Sequence, residues 1–259
     1  MFVDSHCHIN FPELAADLGG VVASMQSNAV THALCVSVNL ETLPQVLSIA
    51  ERFPNLFASV GVHPDDQGGE EPDIGRLLAL SGHPRVVAIG ETGLDYYRLE
   101  GDLEWQRERF RRHIRAARES GKPLIIHTRE AAADTLRIMR EENAAECGGV
   151  MHCFTETQAV ANAAMEMNFL ISFSGIVTFK NALALKSVAR EVPLEHMLVE
   201  TDSPYLAPVP YRGRTNQPAY VRFVAEEVAR LKGVPVENVG AATTANFFEL
   251  FKDAASGTP

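Results

Sequence analysis

Short apolar segments typical of β-strands recur along the chain roughly every 25–35 residues, and amphipathic helical stretches separate them. This alternation is typical of successive βαβ units, whose strands form a parallel sheet. The predicted strands number eight and cover residues 2–6, 33–37, 57–61, 86–90, 124–127, 149–152, 170–173 and 197–201. Eight strands alternating with helices predict a (β/α)8 TIM barrel, with residues 1–259 forming a single domain.

Helical periodicity between the strands predicts helices at residues 41–53, 103–119 and 131–142. After the eighth strand, prolines make residues 203–218 an extended loop, because proline lacks a backbone donor and restricts the residue before it. Two further helices are predicted beyond this loop, one at residues 220–231 and one ending near Phe251.

Composition and charge restrict the class of protein. Hydrophobic residues make up 46% of the chain and charged residues 22%, as in globular proteins, and no apolar run approaches the roughly 20 residues that span a bilayer. The N-terminus has no basic and apolar signal segment, and the four cysteines form no Cys-x-x-Cys pair. We therefore expect a cytoplasmic protein with reduced thiols and no membrane association. The formal net charge of −10 argues against a broad basic surface for nucleic acid.

Metal-ligand residue types collect where the predicted strands end, which is where barrel enzymes hold their active sites. The first strand ends in His6 and His8, whose side chains point to one face because they lie two residues apart. The other strand ends supply His63, Glu91, His127, His152, Glu200 and Asp202. This set exceeds the three protein ligands of a typical catalytic zinc. It predicts two divalent ions bridged by one carboxylate, with zinc, manganese or magnesium as the metals.

Seven segments resemble the signature blocks of the TatD family of metal-dependent deoxyribonucleases, within the amidohydrolase-like superfamily. They occur in family order from residue 1 to about residue 251. The segments are Phe-Val-Asp-Ser-His-Cys-His, Gly-Val-His-Pro, Ile-Gly-Glu-Thr-Gly-Leu-Asp-Tyr, Pro-Leu-Ile-Ile-His-Thr-Arg-Glu-Ala, Met-His-Cys-Phe, Ser-Phe-Ser-Gly-Ile-Val-Thr-Phe-Lys and Leu-Val-Glu-Thr-Asp-Ser-Pro-Tyr-Leu.

The resemblance implies a role for each of these strand-end residues. One metal would be bound by His6, His8 and Asp202, the other by His127 and His152, and Glu91 would bridge the two. Asp202 and Glu91 are the expected catalytic residues, because Asp202 can take the proton of the attacking water. Glu200, two residues before Asp202, should lie on the same face of the strand and would support the metal ligands or act as an occasional ligand.

The resemblance also implies a 3′-5′ exodeoxyribonuclease that hydrolyses phosphodiesters with a water activated by two metals. The acidic net charge favours a single-stranded DNA substrate over a long duplex. Arginine at the rim suits phosphate contacts, and a tyrosine there can stack on a base. The expected substrate-binding residues are His63, Arg129, Arg212, Arg214 and Tyr96.

Two alternatives remain open from the sequence. The same site would activate water against a carbonyl, as in hydrolysis of an amide, or of an ester such as aminoacyl-tRNA. The other alternative is a metal-binding scaffold without activity, against which the complete ligand set argues. The chain departs from the family pattern at Asp65, at Glu156 and in the loop at residues 212–218, all at the expected substrate rim. No obligate protein partner is indicated.

Overall fold

The computed structural model describes residues 1–97 and 99–256. Eight parallel strands pair in chain order within one sheet. They are β1 (Phe2–Cys7), β2 (Val30–Cys35), β3 (Leu56–Val60), β4 (Val86–Asp95), β5 (Leu124–Arg129), β6 (Gly149–Met151), β7 (Phe169–Phe173) and β8 (Met197–Val199). Their residues are almost all buried, as expected for a parallel sheet covered on both faces.

The first strand meets the chain just beyond the last one and closes the sheet into a barrel. Cys7 of β1 forms a parallel bridge with Ser203. The His8 amide donates to the Ser203 carbonyl at 2.7 Å, and the Asp202 amide donates to the His6 carbonyl at 2.9 Å. The predicted (β/α)8 TIM barrel is therefore confirmed.

The structure describes eleven α-helices, most of which cover the outside of the barrel between the strands. They are α1 (Pro12–Ala15), α2 (Leu18–Ser27), α3 (Leu43–Arg52), α4 (Ile74–Ser81), α5 (Glu104–Ser120), α6 (Ala132–Glu141), α7 (Gln158–Met165), α8 (Leu183–Glu191), α9 (Val221–Lys232), α10 (Val236–Leu250) and α11 (Lys252–Ser256). Helices α3, α5 and α6 begin and end within about two residues of the predicted bounds, which is the usual uncertainty of helix ends. None of the helices in the described ranges is long and apolar enough to cross a membrane.

Several predicted strand bounds are wrong, most clearly in β2, β4 and β8. β2 begins at Val30, three residues earlier than predicted. β4 continues to Asp95, five residues beyond its predicted end, because the chain beyond residue 91 pairs with β5. Gly93 has φ +136°, and a methyl group there would overlap the His127 carbonyl, so glycine permits this close pairing. β8 ends at Val199, and Asp202 adopts φ +56°.

The barrel interior is filled by alternate side chains of the strands and plugged at one end by α10. The interior cluster includes Val3, Leu34, Phe57, Ile125, Val150 and Leu198. Phe247 and Phe251, at the end of α10, belong to the same cluster. Helix α10 also packs at the start of β1, where Gly240 approaches Phe2. The N-terminal end of the barrel is thus closed by apolar residues, and the polar strand ends lie at the opposite end.

His113 connects α5 to the segment that follows β3. Its ring is fully buried. Nδ1 donates to the Arg109 carbonyl at 2.8 Å, and Nε2 accepts from the Val62 amide at 3.1 Å. Nε2 can accept this hydrogen bond only while the ring is neutral, and burial lowers the pKa of His113 to about 4.

We predict that His113 makes the protein less stable as the pH falls from about 6.5 to about 4. Over this range His113 binds a proton in the unfolded chain but stays neutral in the folded protein. This difference reduces the free energy of unfolding by about 3 kcal/mol. Urea unfolding of the wild type and of His113→Gln across this range measures the effect. The stability difference between the two proteins should shrink towards pH 4, and a pH-independent difference would contradict the prediction.

Candidate metal centre

Two histidines at the end of β1 begin the site. His6 and His8 are both buried, and their Nε2 atoms lie 3.2 Å apart. His6 Nε2 is 3.4 Å from an oxygen of Glu91, and His8 Nε2 is 3.4 Å from an oxygen of Asp202. The two-residue spacing at the end of β1 thus places both rings beside the same pair of carboxylates.

Glu91, in β4, lies at the centre of the cluster, and each of its oxygens faces a different set of imidazoles. Oε2 is 3.4 Å from His6 and 3.8 Å from His8. Oε1 is 2.8 Å from His152, 3.2 Å from His127 and 3.4 Å from His63. The Glu91 side chain is only 3% exposed. A carboxylate placed in this way has the geometry to bridge two cations.

Three of the imidazoles are oriented by an acceptor on the side away from Glu91. His8 Nδ1 donates to the Val36 carbonyl at 3.0 Å. His127 Nε2 lies 3.0 Å from Asp95 Oδ2, and His152 Nδ1 lies 3.2 Å from Glu200 Oε1. This is the support that metal-binding histidines usually have. In their neutral forms the opposite ring nitrogens would present lone pairs to carboxylate oxygens, an arrangement that needs positive charge between them.

The pKa shifts show the same requirement for positive charge. Burial alone would raise the pKa of Glu91, but the imidazoles of His152 and His63 outweigh it and hold that pKa well below its ordinary value. Burial alone would lower the pKa of His152, but the carboxylates of Glu91 and Glu200 raise it well above the usual range. His152 Nε2 is buried and, among the described residues, has no hydrogen bond of acceptable geometry. The donor set therefore fits divalent cations.

Asp202 is held in a left-handed conformation by hydrogen bonds to the residue before it. The Thr201 amide donates to Asp4 at 2.8 Å, and the Thr201 hydroxyl donates to the same carboxylate at 2.6 Å. On the other side, Asn216 Nδ2 donates to the Thr201 carbonyl at 2.9 Å. These contacts stabilise a backbone conformation that is unfavourable for a non-glycine residue, and they direct the Asp202 carboxylate towards His8.

The structure brings all six predicted metal ligands together and adds His63 to them. Three overlapping sets have potential ligand atoms within 4.8 Å of one another: His6, His152 and Asp202; His6, His8 and Glu91; and His63, Glu91 and His127. Sequence reasoning missed Asp95, Asp4 and Asn216. Asp95 had a signal, because it follows Glu91 in the same strand-end block. Asp4 and Asn216 had none, because their roles depend on contacts with Thr201.

The predicted substrate residues divide into two groups. A cavity of about 770 Å³ lies over the strand ends, and His63 and Arg129 line it. Among the residues of ranges 1–97 and 99–256, its lining does not include Tyr96, Arg212 or Arg214.

The three residues outside the lining make other contacts. The Tyr96 hydroxyl donates to Asp134 at 2.8 Å and accepts from Arg107 at 2.9 Å. Arg212 lies over the Phe179 ring, with its guanidinium carbon 3.7 Å from the ring centroid. Arg214 is exposed, and its amide donates to the Tyr211 carbonyl.

Residues 3–252 match the family model described as "TatD related DNase". The chain belongs to the TatD family. It is 48% identical to the uncharacterized metal-dependent hydrolase YcfH of Escherichia coli K12, over 98% of this chain and 97% of that protein. It is 31% identical to the 3′-5′ ssDNA/RNA exonuclease TatD of Citrobacter rodentium, over 96% and 97% of the two chains.

The fold agrees with that of a solved TatD homologue. The crystal structure of YJJV from Escherichia coli K12 superposes with a TM-score of 0.90 at 26% identity, covering 97% of this chain and 98% of that one. Together with the cluster of potential metal ligands, these similarities make the protein a TatD-type metal-dependent hydrolase.

We predict that Asp95→Asn weakens metal binding about 10- to 100-fold, because the amide no longer orients His127 as a charged acceptor does. Titration calorimetry of the metal-free protein with manganese or zinc measures the affinity. Asp66→Asn is the matched control, since Asp66 lines the same cavity and no contact with the clustered histidines is observed for its carboxylate within the described ranges. Equal affinities for Asp95→Asn and wild type would rule out this role.

Proposed function

We propose that the protein is a 3′-5′ exonuclease that hydrolyses phosphodiester bonds of single-stranded DNA with two divalent cations. The central observation is the Glu91 carboxylate, whose two oxygens face separate sets of imidazoles. Nucleases and polymerases use pairs of divalent cations to stabilise the attacking and leaving oxygens at a phosphodiester. The direction of cleavage and the single-stranded substrate are supported by the name of the Citrobacter rodentium relative.

In this proposal His6, His8 and Asp202 would hold one cation, His127 and His152 would hold the other, and Glu91 would contact both. Nitrogen and oxygen ligands suit zinc, manganese or magnesium more than metals that prefer thiolates. When bound, the cations would supply a water of lowered pKa and positive charge against the phosphate oxygens. Glu200 supports His152 through its contact with Nδ1.

Asp202 is the residue that we propose as the proton acceptor for the attacking water. Its side chain lines the cavity and is 16% exposed, whereas the Glu91 side chain is 3% exposed. Burial alone would raise the pKa of Asp202, but a hydrogen bond from His8 and the charges of His6 and His152 lower it. Asp202 is therefore an ionised carboxylate that water can reach from the cavity, and it can accept a proton while Glu91 stays in its buried position.

The substrate contacts follow from position in the cavity. His63 and Arg129 line it on the side of β3 and β5, where a phosphate next to the cations would lie. Arg129 also lies over the Tyr97 ring, with its guanidinium carbon 3.7 Å from the ring centroid, which fixes its plane. Arg212 and Arg214 are exposed outside the cavity, so they would contact only nucleotides of the DNA strand that lie farther from the cleaved bond. Tyr96 is proposed as a support for the rim through Asp134 and not as a stacking residue.

We further propose that the protein acts in the cytoplasm. Its four cysteines, Cys7, Cys35, Cys147 and Cys153, are free thiols. Reduced thiols are the usual state in that compartment.

The nuclease proposal predicts that the metal-loaded protein removes nucleotides stepwise from the 3′ end of a 5′-labelled single-stranded oligonucleotide. Asp202→Asn should reduce the rate at least about 100-fold, because it removes a metal ligand and the proton acceptor together. Asp66→Asn, in the same cavity, is the matched control and should retain activity. A wild type that cuts ester or amide substrates but no oligonucleotide would contradict the nuclease and favour the acyl-hydrolase alternative.

The bridging role of Glu91 predicts its own metal stoichiometry. Glu91→Gln should reduce bound metal from about two ions per chain to almost none, since an amide cannot serve two cations as a carboxylate does. Elemental analysis of the purified proteins measures this number, with circular dichroism as the check of folding. A folded variant that retains one tightly bound ion would exclude a shared ligand.

A further inference from the structure

The cavity has an apolar side formed by loops that are neighbours in the closed barrel. These loops follow β1, β7 and β8. The side chains they contribute to the lining include Phe11, Ile176, Tyr205 and Leu206.

Charged residues form another side of the cavity. Asp65 and Asp66 follow β3, and Arg129 ends β5. Because β3 to β5 lie across the barrel from β7, β8 and β1, the charged and apolar sides face each other over the strand ends. A nucleotide that places its phosphate at the metal centre would therefore meet a mainly apolar surface on one side and charged residues on the other.

Two aromatic rings extend from the metal centre into the open cavity. The Phe11 ring stacks on His8, with 5.0 Å between ring centroids and 17° between planes. Tyr205 meets Phe11 edge to face, with centroids 6.2 Å apart and an angle of 75°. Tyr205 is 54% exposed and lines the cavity. The pair thus presents an aromatic surface that directly contacts His8, a proposed metal ligand.

The backbone that carries Tyr205 is held in place. Its amide donates to the Asp202 carbonyl at 3.0 Å, and its carbonyl accepts from Asn216 Nδ2 at 2.6 Å. The next residue, Leu206, packs so closely on Gly175 that a methyl group on the glycine would overlap the Leu206 carbonyl. The ring is therefore exposed on a fixed backbone, which is the arrangement of a preorganised binding surface.

We propose that Phe11 and Tyr205 form a stacking subsite for the nucleobase adjacent to the phosphodiester that is cleaved. The inference rests on the proposed nuclease function and names the part of the substrate that the apolar side recognises. Every nucleobase has an aromatic face, so the subsite accepts all four bases. A base paired within a duplex cannot turn onto this surface without unpairing, which gives the site its preference for single strands.

The test compares oligonucleotide ends with and without the base that would stack. The substrates are 5′-labelled single strands with a normal 3′ end, or with a tetrahydrofuran abasic unit as the last or the penultimate nucleotide. When the abasic unit replaces the nucleotide whose base would stack, the wild type should cut the normal end faster than the abasic end, by about 5- to 150-fold in kcat/KM. In Tyr205→Ala this ratio should fall towards one, whereas Tyr205→Phe should retain it. Phe11→Leu should reduce it.

The outcomes separate this inference from the nuclease itself. The stacking subsite would be overturned, and the nuclease left intact, if Tyr205→Ala lost kcat/KM equally on normal and on abasic ends, whether the abasic unit is the last or the penultimate nucleotide. A wild-type ratio of kcat/KM near one between normal and abasic ends would have the same meaning. Failure of the wild type to cut any of the oligonucleotides would overturn the proposed function and this inference together.

Discussion

The buried carboxylate of Glu91 is the constraint on which the rest of the site depends. It contacts the imidazoles of five histidines, His6, His8, His63, His127 and His152. These rings come from β1, from the segments after β3 and β6, and from β5. A charge removed from water is unfavourable unless opposite charge compensates it. Against the effect of burial, the carboxylate of Glu91 raises the pKa of His152 and of His63, and divalent cations can supply the same positive charge. Metal binding is therefore coupled to the electrostatic stability of the barrel end.

A second layer of contacts determines where these ligands point. Asp95 orients His127, Glu200 orients His152, and Asp4 acts on Asp202 through Thr201. Asp4 and Thr201 are 197 residues apart in the sequence, so only closure of β1 against the end of β8 brings them together. The left-handed conformation of Asp202 is stabilised by this closure. The precision of the metal centre is thus a property of the closed barrel and not of any one strand.

The net charge of −10 makes local chemistry decisive for a nucleic acid substrate. A protein without a broad basic surface gains little from neutralising a long phosphate backbone. In our proposals the affinity instead comes from cations at the centre, from Arg129 on one side of the cavity and from Phe11 and Tyr205 on the other. Each of these contacts acts within one or two nucleotides of the cleaved bond. Such a site suits a short, unpaired strand end.

The sequence by itself determined the barrel and the collection of histidines and carboxylates at its strand ends. Strand periodicity directs His6 and His8 to one face, and parallel strands bring all their C-terminal ends to one rim, so residue type and order were sufficient. Only the tertiary structure decided the surroundings. Tyr96 bonds Asp134 instead of facing the cavity, Arg212 lies over Phe179 outside it, and Tyr205 is exposed within it. These outcomes depend on side-chain conformation and on contacts between distant loops, which no local pattern encodes.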